Sequence, residues 1–132
     1  MHPSFRKIAR RETSMHHDLI ESCTEACMAC AQSCKECLKL PRGDPYKAHF
    51  VQSCRECAQH CVICAWDLRE NSRLLVQSSR MCALACELCA IECMRYNDDH
   101  IKRCEAACRV CADKCRAVRQ ALGMTVIHQL QT

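Results

Sequence analysis

The pattern of apolar and polar positions repeats four times along the chain. Within each repeat, cysteines recur at alternating spacings of three and four residues, with charged and amide side chains between them. At about 100° per residue, such positions stay on one narrow stripe of an α-helix. The pattern predicts four helices, over residues 13–26 (running on to 40), 45–70, 73–96 and 99–122.

Helix-breaking and capping residues separate the repeats. They are Pro41, Gly43, Asp44 and Pro45, then Asn71 and Ser72, then Asn97, Asp98 and Asp99, and finally Gly123, which we expect to close the last helix. We expect Ser72 to act as a helix cap and Asn97 to take the left-handed conformation that ends a helix. Because short connections make neighbouring helices antiparallel, the fold predicted for residues 13–122 is an all-α, up-down-up-down four-helix bundle. Residues 1–12 then form a flexible basic arm, and residues 123–132 a C-terminal tail.

Cysteine supplies the stripe residues, at 17 of 132 positions. They are Cys23, Cys27, Cys30, Cys34 and Cys37; Cys54, Cys57, Cys61 and Cys64; Cys82, Cys86, Cys89 and Cys93; and Cys104, Cys108, Cys111 and Cys115. Large apolar side chains are scarce, with one Trp, two Tyr and two Phe. The sequence therefore predicts a core lined by cysteine.

Charge and hydropathy narrow the cellular setting. The N-terminus, MHPSFRKIARRETSMHHDL, lacks the apolar run of a secretory signal, and no stretch approaches the roughly 20 apolar residues that cross a bilayer. We expect a cytoplasmic protein with reduced thiols. The formal charge of +4 is mild, and only Arg6, Lys7, Arg10 and Arg11 cluster. We therefore expect neither a nucleic-acid nor a membrane partner.

Several roles compete for so many cysteines. As small buried hydrophobes they would leave every layer underfilled. As disulfides they would be poorly placed along single helices, and their number is odd. A thiol oxidoreductase needs an exposed cysteine of low pKa near a helix N-terminus, whereas these lie mid-helix and inward. No Ser/His/Asp set, acid pair or phosphate-binding loop is present, so we expect a metal-binding protein and not an enzyme.

The choice of metal rests on site architecture and charge. Thiolates select Cu(I), Zn(II) and iron–sulfur clusters, but zinc and iron–sulfur ligands usually come from knuckles and loops. Four Zn(II) ions bring eight positive charges to 17 thiolates, leaving nine negative charges in a buried space. One Cu(I) per thiolate leaves none. Multiple Cu(I) ions are favoured; a zinc or general heavy-metal thiolate buffer remains open, and an iron–sulfur electron carrier is less favoured.

Four segments carry a family resemblance: CTEACMACAQSCKEC, CRECAQHCVIC, CALACELCAIEC and CEAACRVCADKC. They resemble the four helices of the cytosolic bacterial copper storage proteins, over about residues 14–122. The resemblance implies tetramers of four-helix bundles whose inward cysteines hold many Cu(I) ions, and a role in storing and buffering copper. The spacing alone indicates only a soft-metal site.

The two ends of the predicted bundle differ. The plug end, at Cys23, Cys64, Cys82 and Cys115, continues into apolar residues: Ile20, Leu68, Leu75, Val118 and Leu122. The mouth end, at Cys37, Cys54, Cys93 and Cys104, continues into Phe50, Tyr96 and Ile101, with Met94, Asp98 and Asp99 nearby. We expect His100, four residues before Cys104, and more weakly His49, to receive copper there. A surface or capping role for His100 is equally compatible with its position.

A second apolar stripe lies opposite the cysteines. Met81, Leu84, Leu88 and Ile91 follow helical spacing on the third helix, and Ile63 and Trp66 point away from the cysteines of the second. Scattered surface hydrophobes are normal, but a regular stripe forms a patch. We expect a homo-oligomer that buries Leu84, Leu88, Ile91 and Trp66, a tetramer by the resemblance.

Overall fold

Four α-helices and no strand make up the part of the chain that the structure describes. The structure is a computed structural model that describes residues 3–40 and 47–131, with side chains at 16–40 and 47–123. In chain order the helices are α1 (Pro3–Leu38), α2 (Ala48–Glu70), α3 (Leu75–Cys93) and α4 (Asp99–Gln131). The predicted all-α bundle is confirmed.

Each helix packs against two neighbours. Helix α1 packs against α2 and α4, and α3 packs against the same two helices; among the described residues the backbones of the diagonal pairs stay apart, and those helices meet through cysteine side chains. Cys23 lies beside Cys115 at one end of the bundle, and Cys34 beside Cys104 toward the other. Helices α1 and α4 are therefore antiparallel, and the four inward faces meet along one axis.

The α2–α3 connection is a tight turn around Asn71. This residue has φ 50° and ψ 47°, and its backbone N–H donates to the carbonyl of Asp67. The Ser72 hydroxyl accepts a hydrogen bond from the Leu74 N–H at 3.1 Å. Asn71 is the one non-glycine residue of positive φ among the described residues, so the prediction of a left-handed residue at Asn97 was wrong.

The α3–α4 connection ends in a side-chain cap. The Asp98 carboxylate accepts hydrogen bonds from the backbone N–H groups of His100 and Ile101, at 2.8 and 3.2 Å. These contacts satisfy donors that the first turn of α4 would otherwise leave unpaired.

The first and last helices, α1 and α4, extend beyond the predicted bundle range of 13–122. Helix α4 continues through Gly123 to Gln131, so the predicted end at Gly123 was wrong. A single glycine inside a helix costs only about 1 kcal/mol relative to alanine, which is too little to end one. The assignments of residues 1–12 as a flexible arm and 123–132 as a tail stay predictions. The predicted break at Pro41, Gly43, Asp44 and Pro45 lies outside the described residues.

None of the helices, over the residues described, combines the length and apolarity needed to cross a bilayer.

Candidate metal centre

All seventeen cysteine side chains face the axis of the bundle. Cys37 exposes 3% of its surface and the other sixteen expose none. The helices present them in rows because spacings of three and four keep each row on one face. All seventeen are free thiols. The core of this protein is thus made of thiols, with alanines such as Ala31, Ala65 and Ala90 filling in between.

The sulfur atoms lie at regular separations of 3.6 to 4.0 Å between helices. Cys30 shows the arrangement best, with its Sγ atom 3.6 Å from that of Cys108, 3.7 Å from Cys57 and 3.8 Å from Cys86. A disulfide needs sulfurs about 2.05 Å apart, so these are contacts between thiols. A metal ion between such sulfurs would bond to cysteines from helices that are distant in sequence.

The thiols form overlapping groups of four. Five such groups have all their sulfur atoms within 4.8 Å of one another: Cys23, Cys27, Cys64 and Cys115; Cys27, Cys82, Cys111 and Cys115; Cys30, Cys61, Cys86 and Cys111; Cys30, Cys34, Cys57 and Cys108; and Cys34, Cys89, Cys104 and Cys108. Successive groups share one or two thiols. Closed zinc sites use four ligands of their own. A chain of shared thiols instead suits bridging sulfurs and a continuous row of ions.

No lysine or arginine residue is fully buried beside the thiols in the described chain. Asp67, Ser78 and Ser79 are the buried polar or charged residues of the described chain, and none of them is a cation. Seventeen thiolates without metal would therefore leave a large uncompensated charge in a medium of low dielectric constant. Ionisation of the thiols must accompany the arrival of cations.

Hydrogen bonds between thiols shift their pKa values in both directions. Bonds led by the one with Cys115 hold the pKa of Cys23 well below its usual range. Bonds led by the one with Cys111, together with burial, raise the pKa of Cys27. A thiolate that accepts such bonds is stabilised, whereas the thiol that donates them keeps its proton. The metal-free core therefore places thiols of lowered pKa beside thiols of raised pKa, and metal binding displaces the protons that they carry.

The plug end is filled by aliphatic side chains. Leu68, Leu75 and Val118 expose 3% of their surface or less, and Ile20 and Leu122 are partly buried against the same core. The apolar continuation of the cysteine rows predicted from the sequence is therefore present. Side chains from all four helices cover this end, beside a surface cleft between α1 and α4 that Ile20, Val118 and Leu122 line.

The described cover of the mouth end is partly aromatic. Phe50 and Ile101 are buried, and the Phe50 and Tyr96 ring centroids are 5.1 Å apart with planes inclined at 56°. The Lys47 ammonium lies 5.7 Å from the centroid of Tyr96. Behind them, the Cys37 thiol donates a hydrogen bond to the carbonyl of His100 at 3.8 Å.

Both candidate histidines lie on the surface at the mouth end. His49 is exposed in the first turn of α2, and His100 is exposed in the first turn of α4. The Nδ1 atom of His100 is 2.8 Å from the guanidinium of Arg103, which is a donor only, so Nδ1 accepts this bond. His100 thus approaches the thiols through its backbone carbonyl, and its ring faces solvent.

Ser79 continues the cysteine row of α3 and was not among the residues singled out from the sequence. It lies three residues before Cys82, is fully buried, and donates from its hydroxyl to the Val76 carbonyl at 3.1 Å. The spacing of three would have found it, because it is the next stripe position toward the plug end. Its hydroxyl ends the row of sulfurs on that helix.

The outward apolar stripe is exposed in the single chain. Leu84, Leu88 and Ile91 on α3 expose about half of their surface, and Trp66 on α2 exposes 65%. Ile63 and Met81 are exposed on the same two helices. Side chains of this size form a candidate contact surface.

Comparisons with known proteins agree with this architecture. The sequence profile of the copper storage protein family matches residues 14–120. The Cu(I)-bound copper storage protein BsCsp3 has a similar structure, with a TM-score of 0.72 and 30% identity over 76% of this chain and 98% of that one. The apo form of copper storage protein 3 from Bacillus subtilis is similar too, with a TM-score of 0.69 and 30% identity over 75% and 97% of the two chains. No curated protein is significantly similar in sequence. The resemblance seen in the four cysteine segments is confirmed, and the chain belongs to the copper storage protein family.

Proposed function

We propose that this protein stores copper in the cytoplasm as Cu(I), at roughly one ion per cysteine, and so buffers the metal and prevents its toxicity. The observation that carries the proposal is the chain of buried thiol quartets that share sulfurs along the whole bundle. Cu(I) accepts two or three sulfurs, so shared thiolates link one ion to the next. The function is binding and release, and no catalytic role is proposed.

Zinc is the second candidate because the separation between the sulfur atoms suits its coordination. Tetrahedral coordination at a Zn–S distance of about 2.3 Å separates the sulfurs by about 3.8 Å, within the range seen between these thiols. Charge decides against it. The described core holds no buried lysine or arginine to neutralise the negative charge that zinc would leave. A monovalent ion at each thiolate needs no such partner.

Titration of the reduced protein with Cu(I), against a competing chelator, tests the proposal. We expect saturation well above ten equivalents per chain, because all seventeen thiols belong to one connected core. The same titration with Zn(II) is the control and should saturate near four. Copper saturation near four equivalents would contradict storage, and a brown protein with charge-transfer absorption would indicate an iron–sulfur carrier.

The mouth end is the proposed entrance, with His100 and His49 as surface ligands that receive Cu(I) before the thiols do. Their exposed positions at the helix ends nearest Cys37 support this role. We expect the double variant His100→Ala, His49→Ala to keep its copper capacity and to take up copper more slowly. An unchanged uptake rate would remove both residues from the pathway.

The outward stripe is the proposed oligomer interface. Leu84, Leu88, Ile91 and Trp66 present apolar surface that a second copy of the chain would bury, and the family resemblance implies a tetramer. We expect sedimentation analysis to show an oligomer for the unsubstituted protein and a smaller species for Leu88→Glu. A monomer in both cases would contradict the interface.

A further inference from the structure

Every thiol of the core lies behind other atoms, so copper reaches the sulfurs only after part of the bundle opens. Cys37 exposes 3% of its surface and the other thiols none. Local opening takes place where the fewest native contacts must be broken. The two ends of the bundle are therefore the places to compare.

The plug end is held by the middle of long helices. Helix α1 begins at Pro3, far ahead of Cys23, and α4 runs on to Gln131, far beyond Cys115. Their continuing backbones flank the plug residues. The α2–α3 turn at this end is closed by the hydrogen bond from the Ser72 N–H to the Asp67 carbonyl at 3.0 Å. Opening here would disrupt several helical turns together.

At the mouth end, by contrast, the helices stop close to their last thiols. Helix α1 ends at Leu38, directly after Cys37, and α3 ends at Cys93 itself. The ends of helices carry unpaired backbone groups and open at lower free energy than their centres. The described residues that cover the thiols here lie in the first turns of α2 and α4 and in the α3–α4 connection.

Two aromatic rings form the movable part of that cover. Phe50 lies one helical turn before Cys54 and is buried, and the half-buried Tyr96 lies three residues after Cys93 in the α3–α4 connection. Their rings are in contact with a centroid distance of 5.1 Å, with Lys47 over the outer ring. Ile101 is a further buried residue of this cover and lies in the capped first turn of α4. Because Tyr96 lies in the α3–α4 connection, its ring can move away from Phe50 without the unwinding of a helix.

We propose that the Phe50–Tyr96 ring pair is the gate through which Cu(I) enters and leaves the cysteine core, with Cys37 the first thiol behind it. The proposal rests on the storage function proposed above. Copper stays Cu(I) throughout. Each thiol that binds it loses one proton to solvent as the metal–sulfur bond forms, and it regains that proton on release. The gate changes the rate of both passages and leaves the equilibrium between free and stored copper unchanged.

Exchange kinetics with a Cu(I) chelator test the gate. Uptake is followed from the chelator complex into the reduced protein, and release from the loaded protein into excess chelator, for Tyr96→Ala and for Phe50→Leu. An aromatic pair contributes enough that its loss speeds opening roughly 2- to 10-fold, so we expect both rate constants to rise by that factor together. The matched control is Leu122→Ala, a half-buried apolar residue at the plug end, which should exchange copper at the unsubstituted rate.

A second measurement needs no copper. The metal-free variants are treated with methyl methanethiosulfonate, a small thiol reagent, and Tyr96→Ala should show faster modification of the first thiol than Leu122→Ala. Unchanged rates in both gate variants would overturn the gate, as would equal acceleration by Leu122→Ala. Faster uptake without faster release would also overturn it, because it would mean that the affinity had changed. Failure of storage would be visible separately, as low copper capacity of the unsubstituted protein.

Discussion

The two ends of the bundle close the same rows of thiols with different kinds of side chain. At the plug end, Leu68, Leu75 and Val118 are buried aliphatic residues packed between helices. At the mouth end, a ring from α2 meets a ring from the α3–α4 connection. Aliphatic side chains in a tight core lose many contacts together when they move, whereas a half-buried ring at a connection loses few. Access to a uniform row of thiols is thus decided by what covers its ends.

The last thiol at each end also has different partners. The sulfur of Cys23 is 3.7 Å from that of Cys115, inside a quartet of thiols. At the mouth end, Cys34 lies 3.7 Å from Cys104, the last cysteine of α4, and Cys37, one position further, also donates to a backbone carbonyl, that of His100. The sequence leaves open which of the two is the extra thiol beyond four groups of four. The structure identifies it as Cys37, at the mouth end.

The largest difference between the ends should be in stability. Leu68→Ala removes a buried side chain from the plug and leaves a cavity, so we expect the free energy of unfolding of the reduced, metal-free protein to fall by about 2–5 kcal/mol. Tyr96→Ala at the mouth end should cost only about 1 kcal/mol, because the ring is only partly buried. Urea unfolding followed by circular dichroism measures both.

Equal losses in these two variants would contradict the comparison. They would show that the mouth cover is as firmly held as the plug. Leu68→Met is the volume-conserving control. Because it leaves no large cavity, it should lower the free energy of unfolding by less than about 1.5 kcal/mol.

Much of this fold can be predicted from the spacing of cysteines alone. Spacings of three and four place one row on each of four helices, and because the row is apolar it must face inward, as the burial of every cysteine confirms. The same spacing leads past Cys64 to Leu68 and past Cys115 to Val118, which identifies the plug. Periodicity carries this information because burial follows the helix face.

The connections were harder to predict because their conformation depends on length and on neighbouring helices. Asn71 and Asn97 both follow a helix, yet only Asn71 among them is left-handed. In the α2–α3 connection the chain must reverse its direction within the few residues between Glu70 and Leu75. The α3–α4 connection first unwinds through the bonds from the Arg95 N–H to the Glu92 carbonyl and from the Tyr96 N–H to the Cys93 carbonyl, both 3.2 Å. These tightened turns place Tyr96 against the core, three residues after Cys93, where the cysteine spacing also leads; the turns themselves leave no periodic signal in the sequence.

A pair of asparagine variants separates the two connections. Alanine adopts the left-handed backbone conformation less readily than asparagine does. We therefore expect Asn71→Ala, at φ 50°, to lower the free energy of unfolding by about 1 kcal/mol. Asn71→Gly should restore most of it, since glycine takes this conformation readily. Asn97→Ala should change stability by less than about 0.5 kcal/mol. A similar cost at both positions would show that the turn at the plug end is not specially constrained.

The smallest expected effect is a difference in how stability depends on pH through Cys37 and Cys23, the last thiols of α1 at the two ends of the bundle. The hydrogen bond with Cys104, together with burial, raises the pKa of Cys37 from 9.0 to about 12, whereas the pKa of Cys23 is lowered. Between pH 9.0 and about 12, the unfolded chain loses the Cys37 proton while the native protein keeps it. The unfolded state then binds fewer protons, so stability falls as pH rises through this window. Because the pKa of Cys23 is lowered and not raised, this thiol does not contribute to the decline in that window.

We therefore expect Cys37→Ser to flatten the alkaline decline in unfolding free energy, by well under about 1.4 kcal/mol per pH unit because solvent at the bundle end screens the thiol. Cys23→Ser is the matched control, and its decline should follow that of the unsubstituted protein. Urea unfolding of the reduced, metal-free proteins at several pH values above 9 provides the slopes. If Cys23→Ser flattens the decline as much as Cys37→Ser does, the two ends hold their last thiols in the same way, and the distinction between mouth and plug is confined to the side chains that cover them.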